Sequence, residues 1–307
     1  MSVRAPSIAV LGPGGVGGFV AAALARAGAD VVVVAREPTA ALIADSGLEV
    51  ESFALKARFT ARPASRAHLD TPADVLLIAT KAGALSGALE RVRAEPELVV
   101  PLLNGIEHMT LLRERFGLDR VAAGVIRIES DRPAPGRIVQ MSPGVRIDLA
   151  ADRPQPGSRL PALAAALEAA GLTARVQESE RQVLWSKLAR LAALSLTTSA
   201  SDRPLGFVRS DPRWRSALDA AVTETVAVAN ADGAQLRALD TLAELDSAHA
   251  QLGSSMQRDI RARREPELDA LAGAVLRAAG RHGLRCPTVT WLAEGVAQRA
   301  GLDWTAA

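Results

Sequence analysis

Glycines with a characteristic spacing stand near the start of the chain, at Gly12, Gly14 and Gly17. The apolar run at 7–11 before them suits a β-strand, and the small residues at 19–27 after them suit a helix. A glycine turn between a strand and a helix presents unpaired backbone N–H groups at the positive end of the helix dipole, where phosphate binds. We therefore predict a dinucleotide site; a purely structural turn is the alternative. The residues expected at this site are Gly12, Gly14, Gly15, Val16 and Gly17.

Each glycine in this loop has an expected role. Gly12 permits a tight turn, Gly14 lets the backbone approach a pyrophosphate, and Gly17 lets the helix pack closely on the strand. The loop therefore indicates the first strand–helix–strand unit of a parallel sheet.

The residues after the second predicted strand, Val31–Val34, bear on which nucleotide binds. An acidic residue at this place accepts from the ribose 2′-OH of NAD, whereas an Arg accommodates the 2′-phosphate of NADP. The chain has Arg36 followed by Glu37. Because Arg36 comes first and a guanidinium holds phosphate through two parallel hydrogen bonds, we predict NADP(H). Glu37 keeps NAD as the alternative, and an exposed Arg-Glu pair with no role is a third interpretation.

Lysine is rare in this chain, with three residues at Lys56, Lys81 and Lys187 against a background of arginine. Arg does not release its proton in a protein and Lys does, so a retained Lys suggests proton transfer. Lys187 lies in an otherwise apolar helical pattern, where partial burial would bring its pKa toward neutrality and make it a usable acid. The alternative is a surface Lys whose stem covers apolar neighbours.

Two further candidates follow predicted strands. Lys81 comes after the apolar run at 74–79, and Asn104, one of two asparagines, comes after the run at 98–103. Ligands of parallel sheets bind outside the carboxyl ends of the strands. We therefore expect Lys81 and Asn104 at the same sheet edge as the glycine loop and Arg36.

The alternation of strands and helices predicts an α/β fold, with an N-terminal doubly wound Rossmann-type domain over 1–177 and an all-helical C-terminal domain over 178–307. We expect a hairpin or crossover near residue 50 and about six helical segments in the second domain. The other predicted elements are helices at 81–93, 107–116 and 160–170, a strand at 173–177, and strands at 121–128, 137–139 and 145–149 that complete the sheet.

Composition limits the class of protein. In 307 residues, Lys and Arg number 36 and Asp and Glu number 34, with the charges interspersed, so we expect no nucleic-acid partner. Helix-length segments are interrupted by polar residues, and the start lacks a secretion signal, so we expect no membrane partner and a cytoplasmic location. The single Cys286 fits a small buried residue better than a reactive thiol, and we expect no metal. A homodimer remains an open possibility.

The helical half carries a second group of polar residues. Ser254 and Ser255 precede a basic segment, and Pro266, Glu267 and Asp269 follow it. Pro just inside a helix start with acids in the first turn is ordinary helix capping, so these carboxylates have a structural explanation as well as a chemical one.

Together these segments resemble the ketopantoate reductase (2-dehydropantoate 2-reductase) family over almost the whole chain. The motifs that carry the resemblance are, in order, the glycine loop, Thr80-Lys81-Ala82, Leu103-Asn104-Gly105, Leu184-Trp185-Ser186-Lys187-Leu188, Ser254-Ser255-Met256 with Asp259-Ile260, and Glu267-Leu268-Asp269. Two of the three lysines fall on motif positions.

The resemblance implies an NADP-dependent oxidoreductase that reduces a 2-oxo acid, ketopantoate, in pantothenate biosynthesis. By position, Lys187 matches the general acid and Glu267 the acid that holds the substrate hydroxyl and organises the Lys. Asn104 matches the residue where nicotinamide and substrate meet, Lys81 a cofactor-side Lys, and Ser255 a contact of the substrate carboxylate.

Two positions depart from the family pattern. Members usually carry Asn one and two helical turns after the Lys, where they contact the substrate, and this chain has Leu191 and Ser195. Leu makes no hydrogen bond, so a different 2-oxo acid, or another ketone or hydroxy acid, is an alternative substrate. Pro266 also replaces the small hydroxyl residue common before the Glu. A non-catalytic NADP-binding regulator is the remaining alternative if Lys187 and Glu267 are structural.

Overall fold

The computed structural model describes residues 5–305. Contacts divide the chain into two units. Unit 1 takes the chain up to Leu103 and then His108–Val183, and unit 2 takes Asn104–Glu107 and the chain from Leu184 onward. The sequence placed a single boundary between residues 177 and 178, which stays a prediction. It also placed Asn104 with the sheet, whereas the contacts place the segment 104–107 in unit 2.

Unit 1 contains most of the strands. Its elements, in chain order, are β1 (Ile8–Leu11), α1 (Gly15–Arg26), β2 (Val31–Val34), α2 (Glu37–Ser46), β3 (Leu48–Ser52), β4 (Ala57–Ala61), β5 (Ala64–Arg66), β6 (Val75–Ile78), a 3₁₀ turn (Ala82–Ala84), α3 (Leu85–Leu89), β7 (Leu98–Pro101), α4 (His108–Phe116), β8 (Ala123–Arg127), β9 (Ser130–Ala134), β10 (Arg137–Gln140), β11 (Arg146–Ala150), α5 (Pro154–Gly157), α6 (Leu160–Ala169) and β12 (Thr173–Gln177).

Unit 2 is helical. Helix α7 (Glu180–Ser201) begins in unit 1 and continues into unit 2, where it is followed by α8 (Leu205–Ser210), α9 (Pro212–Ala231), α10 (Ala238–Ser247), α11 (Ser255–Arg261), a π-helical turn (Asp269–Gly273), α12 (Ala274–Arg281) and α13 (Pro287–Ala300).

The central sheet of unit 1 is parallel throughout, in the order β5-β2-β1-β6-β7. Ile8 of β1 lies opposite Val31 on one side and Val75 on the other. The strands are continuous apolar runs because helical crossovers cover both faces of such a sheet. This order confirms the predicted α/β class, with a doubly wound Rossmann-type sheet followed by a helical region.

The prediction that the strands after residue 121 complete this sheet is wrong. They form two other sheets, ordered β4-β3-β10-β9 and β12-β11-β8. The hairpin β3–β4, which the sequence predicted as one of two options, accepts β10 in parallel register with Ile138 opposite Val50. An isolated bridge between Val99 and Val121 connects the central sheet to this region. β9 carries Pro133 and lies at a sheet edge, where the missing N–H costs no ladder bond.

Several predicted helices also differ. The helix predicted over 81–93 is only the 3₁₀ turn and the five-residue α3. Gly83 and Gly87 explain the interruption, because glycine is a poor helix former. Up to residue 305, the described part of the second half holds seven α-helices and a π-helical turn rather than about six segments. The helix predicted to start around Pro266 begins two residues later, at Leu268.

Cys286 lies buried at the start of α13. Burial, with a smaller contribution from the charge of Glu224, raises the pKa of its thiol to about 11. The thiol is therefore protonated at neutral pH, as expected of a small core residue.

The glycine at position 17 is required by packing. A Cβ there would overlap the carbonyl oxygen of Gly12 and lie 2.9 Å from the Cβ of Ala79. We expect Gly17→Ala to lower the free energy of unfolding by about 1–3 kcal/mol, because backbone atoms must shift to make room. Urea denaturation measures this change.

Gly14 provides the matched control in the same loop, since a Cβ there meets nothing within 4 Å. Gly14→Ala should change stability by less than about 1 kcal/mol. Equal losses in the two variants would contradict the packing argument.

Candidate functional site

The glycine loop has the geometry of a phosphate-binding turn. Gly12 has a φ of +92°, which favours glycine, and a Cβ there would lie 2.8 Å from Cγ2 of Thr80. Gly17 packs α1 directly against the backbone of Gly12. The chain can therefore turn sharply from β1 into α1 and bring the N-terminus of that helix close to the sheet edge.

The N-terminus of α1 is free of side-chain caps. Gly14 is its N-cap and offers no side-chain acceptor, and the first turn carries no acidic residue. The first N–H groups of a helix have no intrahelical acceptor, so an anion at this end is stabilised both by hydrogen bonds and by the helix dipole. Gly15 and Val16, the first residues of α1, are half-buried. The start of α1 is therefore suited to an anionic group.

Arg36 and Glu37 differ in their surroundings. Arg36 is exposed directly after β2, and no hydrogen bond or ion pair engages its guanidinium among residues 5–305. Glu37 begins α2 and pairs with Arg91 at 3.4 Å. Its own backbone N–H, and then the charge of Arg91, hold the pKa of Glu37 below its ordinary value. The cation is therefore available to a ligand, whereas the carboxylate already has a partner.

Lys81 is exposed and stands at the N-cap of the 3₁₀ turn, three residues after β6 ends. Because β1, β2 and β6 are adjacent parallel strands, their carboxyl ends meet at one edge of the sheet. Unit 1 thus places the glycine loop, Arg36 and Lys81 along that edge.

In unit 2 the structure joins two predicted site residues directly. The Asn104 side chain donates from Nδ2 to Oε2 of Glu267 at 3.0 Å, across 163 positions of sequence. Both residues are half-buried. Glu267 lies just ahead of the helix that begins at Leu268, and its carboxylate accepts the hydrogen bond from Asn104.

Three site residues share one face of α7. Lys187, Leu191 and Ser195 follow each other at intervals of four, which brings them onto one stripe of the helix. Lys187 and Leu191 are half-buried, and Leu191 packs against the core of unit 2. Ser195 is fully buried, and its Oγ has no hydrogen-bond partner among the described residues. The stripe therefore combines a cation, an apolar side chain and a hydroxyl that has no hydrogen-bond partner among the described residues.

Ser255 is exposed at the start of α11. The preceding residue, Ser254, is buried and accepts a hydrogen bond from the Gln257 N–H at 3.1 Å. Thr198 of α7 donates to the same Ser254 Oγ, also at 3.1 Å. This buried pair of hydroxyls fixes the first turn of α11 to α7, and with it the position of Ser255.

Glu107 and Arg277 were not predicted from the sequence, although they lie beside the Asn104–Glu267 pair. They form an ion pair across 170 positions. No motif marks either residue, and Arg is too common in this chain for its type to be a signal.

Two further observations concern residues 5–305. No group of three or more His, Cys, Asp and Glu side chains there is arranged to hold a metal ion. No helix in that range is both long enough and apolar enough to cross a membrane.

Known proteins resemble this chain over nearly its whole length. Residues 8–151 match the family model described as ketopantoate reductase PanE/ApbA, and residues 180–300 match the model of its C-terminal part. The 2-dehydropantoate 2-reductase of Caulobacter vibrioides is 30% identical, with 92% of this chain and 94% of that protein aligned.

Solved structures agree with this fold. The 2-dehydropantoate 2-reductase of Geobacter metallireducens GS-15 superimposes with a TM-score of 0.87 at 26% identity, over 95% of this chain and 99% of its own. D-mandelate dehydrogenase, solved with NADH and anilino(oxo)acetate, has a TM-score of 0.88 at 19% identity, over 96% and 98% of the two chains, and this likeness concerns the fold alone.

Both family models match in the expected order, and they cover the glycine loop, Asn104, Lys187 and Glu267. The chain belongs to the ketopantoate reductase family and is a pyridine-nucleotide-dependent oxidoreductase.

Proposed function

We propose that this protein catalyses the NADPH-dependent reduction of a 2-oxo acid to a 2-hydroxy acid, with ketopantoate as the substrate and pantoate as the product. The hydrogen bond between Asn104 and Glu267 carries the proposal. It joins, within unit 2, two residues to which the family resemblance assigns roles in the chemistry, and the same unit contains Lys187.

The residues of unit 1 fit the cofactor. The uncapped start of α1, with open space where a Gly14 Cβ would be, suits the pyrophosphate. Arg36 is free to hold a 2′-phosphate, while Glu37 is engaged by Arg91. We assign Gly12, Gly14, Gly15, Val16, Gly17, Arg36 and Lys81 to cofactor binding, together with Asn104 of unit 2 at the nicotinamide. When bound, NADPH supplies the hydride that adds to the 2-oxo carbon.

Lys187 is the proposed general acid. As the 2-oxo carbon gains hydride, its oxygen gains negative charge, which an ammonium stabilises before giving up a proton. Lys187 is half-buried on an apolar helix, so its ammonium is less hydrated than that of a surface Lys. Transfer of one proton from Nζ completes the hydroxyl, and solvent then reprotonates the amine.

Glu267 and Asn104 are proposed to position the reacting groups. Glu267 accepts from Asn104 with one oxygen, and a carboxylate has further lone pairs with which to hold a substrate hydroxyl. Asn104 uses one N–H in this contact, and its amide has a second N–H and a carbonyl oxygen for ligands. Ser255, exposed at the start of α11, is the proposed contact of the substrate carboxylate.

A second candidate is a different 2-oxo acid or ketone. Leu191 places an apolar surface one turn from Lys187, where a substrate hydroxyl would find no partner. Ser195, two turns away, has a buried Oγ with no hydrogen-bond partner among residues 5–305, which leaves it able to bond a ligand or water. This stripe favours a substrate with an apolar group close to its 2-oxo carbon.

The first prediction from the proposed function concerns turnover. NADPH oxidation, followed by absorbance at 340 nm against a panel of 2-oxo acids that includes ketopantoate, tests the proposed reaction. Lys187→Ala should lower kcat at least about a hundredfold, because the general acid is lost, while the Kd of NADPH stays nearly unchanged. Lys56→Ala is the control, since Lys56 is an exposed Lys in a turn of unit 1. Turnover retained in Lys187→Ala would remove that residue from its role.

The second prediction concerns the nucleotide. Arg36→Ala should raise the KM for NADPH about tenfold or more and leave the KM for NADH nearly unchanged, because only NADPH carries the 2′-phosphate. Arg58→Ala is the control, since Arg58 is exposed and pairs with Glu51 on another sheet. An unchanged KM for NADPH in Arg36→Ala would refute the assignment.

The third prediction concerns specificity. Leu191→Asn should raise kcat/KM for ketopantoate about tenfold relative to a 2-oxo acid with the same skeleton but no hydroxyl, because the amide adds a hydrogen-bond partner. Leu191→Met keeps the apolar character and should leave that ratio unchanged. If Leu191→Asn does not alter the ratio, the side chain at 191 does not contact the substrate hydroxyl.

A further inference from the structure

The hydrogen bond between Asn104 and Glu267 joins two segments that have no local reason to meet. Asn104 belongs to the short segment 104–107, and Glu267 precedes the π-helical turn Asp269–Gly273. A single hydrogen bond between half-buried side chains contributes only about 1 kcal/mol and does not by itself hold two segments in register. Other contacts must position this pair.

Arg277 on α12 bridges the same two segments. It donates from Nε to Oε1 of Glu107 at 2.9 Å and from Nη2 to Oε2 at 2.6 Å. It also donates from Nη1 to Oδ1 of Asp269 at 2.7 Å and from Nη2 to Oδ2 at 3.0 Å. Glu107 lies three residues after Asn104, and Asp269 lies two residues after Glu267. The guanidinium therefore holds both segments close to the residues proposed for chemistry.

The charge and shape of Arg277 suit this bridge. Its hydrogen bonds to Glu107 and then Asp269 raise its pKa further above the ordinary arginine value, so it stays charged. A planar guanidinium has five N–H donors and can make two hydrogen bonds to each of two carboxylates. The ammonium of Lys is a compact point charge that does not match this geometry. Without the guanidinium, the carboxylates of Glu107 and Asp269 would repel each other and separate the segments.

The backbone shows that the two segments are in close contact. Gly105 has a φ of +82°, and a Cβ there would lie 2.5 Å from the carbonyl oxygen of Ala270 in the π-helical turn. Gly273 also lies close to the bridge, because a Cβ there would overlap Oδ1 of Asp269 and lie 2.9 Å from Nη1 of Arg277, although both side chains could move aside. The glycine at position 105 permits the approach that Arg277 then holds.

We propose that Arg277 is a positioning residue that keeps Asn104 and Glu267 in hydrogen-bond register by clamping Glu107 to Asp269. This inference rests on the proposed function, because it assigns the clamp to the same site. It adds that the relative position of Asn104 and Glu267 is fixed by ion pairs of Arg277 at the surface of unit 2. The residues of these ion pairs need not touch substrate or cofactor.

The fourth prediction tests the clamp by kinetics. Arg277→Met should lower kcat about tenfold to a hundredfold, since a small misplacement of reacting groups has effects of that size. Arg277→Lys should lose less kcat than Arg277→Met but stay below the wild type, because Lys keeps the positive charge and lacks the planar array of donors. The Kd of NADPH should change by less than about threefold in both variants, since all its proposed contacts except Asn104 lie in unit 1.

The matched control is Arg281→Lys, one turn further along α12, where Nη2 lies 3.9 Å from Oδ1 of Asp232. It should keep kcat. Glu107→Gln should reproduce the loss seen in Arg277→Lys, and the double variant should lose little more than either single variant, because both remove the same link. Additive losses would overturn the clamp.

A second readout does not depend on activity. Hydrogen–deuterium exchange of the backbone amides at 105–107 should be faster in Arg277→Lys than in the wild type and unchanged in Arg281→Lys. Exchange and kcat that both stay at the wild-type level would overturn the inference, as would faster exchange with unchanged kcat. If the wild type reduces no 2-oxo acid, the proposed function fails, and the exchange experiment still decides whether the clamp exists.

Discussion

The site in unit 2 depends on the contact between the segment that carries Asn104 and the one that carries Glu267. The segments are 163 residues apart in sequence and meet through one side-chain hydrogen bond, a close backbone approach at Gly105, and the ion pairs of Arg277. A carboxylate and an amide placed independently on loops would sample many geometries. Multiple contacts of different kinds restrict those geometries, as the proposed role in positioning a substrate requires.

Unit 1 achieves a comparable result by backbone packing. Its parallel sheet orders the carboxyl ends of β1, β2 and β6 side by side, so the glycine loop, Arg36 and Lys81 share one edge. Gly12 is needed for the turn, and Gly17 is needed for the close contact of α1 with the end of β1. Gly14 is unconstrained by the protein, which leaves the space above the helix N-terminus to a ligand.

Helix α7 combines core and site on one element. Most of its residues from 188 to 199 are buried, and the Lys187 stripe with Leu191 and Ser195 interrupts an otherwise apolar surface. Other hydroxyls on the same helix have structural roles. Thr197 Oγ1 donates a hydrogen bond to the backbone carbonyl of Ala193, and Thr198 Oγ1 donates to Oγ of Ser254. Ser195 stands apart because its Oγ lacks such a partner in the described chain, and this distinguishes it from hydroxyls that only satisfy the fold.

The sequence by itself determined the parts that follow from local pattern. Apolar runs predicted the buried parallel strands, the glycine spacing predicted the turn from β1 into α1, and helical periodicity predicted an all-helical second half. The rarity of Lys and Asn drew attention to Lys81, Lys187 and Asn104. These signals are local because strand burial, turn conformation and residue type are each visible within a few positions.

Tertiary structure alone decided which distant segments meet. The strands from β8 onward do not extend the central sheet, because β10 pairs with β3 of the β3–β4 hairpin and β8 pairs with β11. The apolar pattern of a strand does not indicate which strand it pairs with. Asn104 was predicted at the sheet edge and belongs to unit 2 with Glu267. No local sequence pattern marks Arg277 or Glu107. Their ion pair joins side chains 170 residues apart, and it forms only when the folded backbone brings those side chains together.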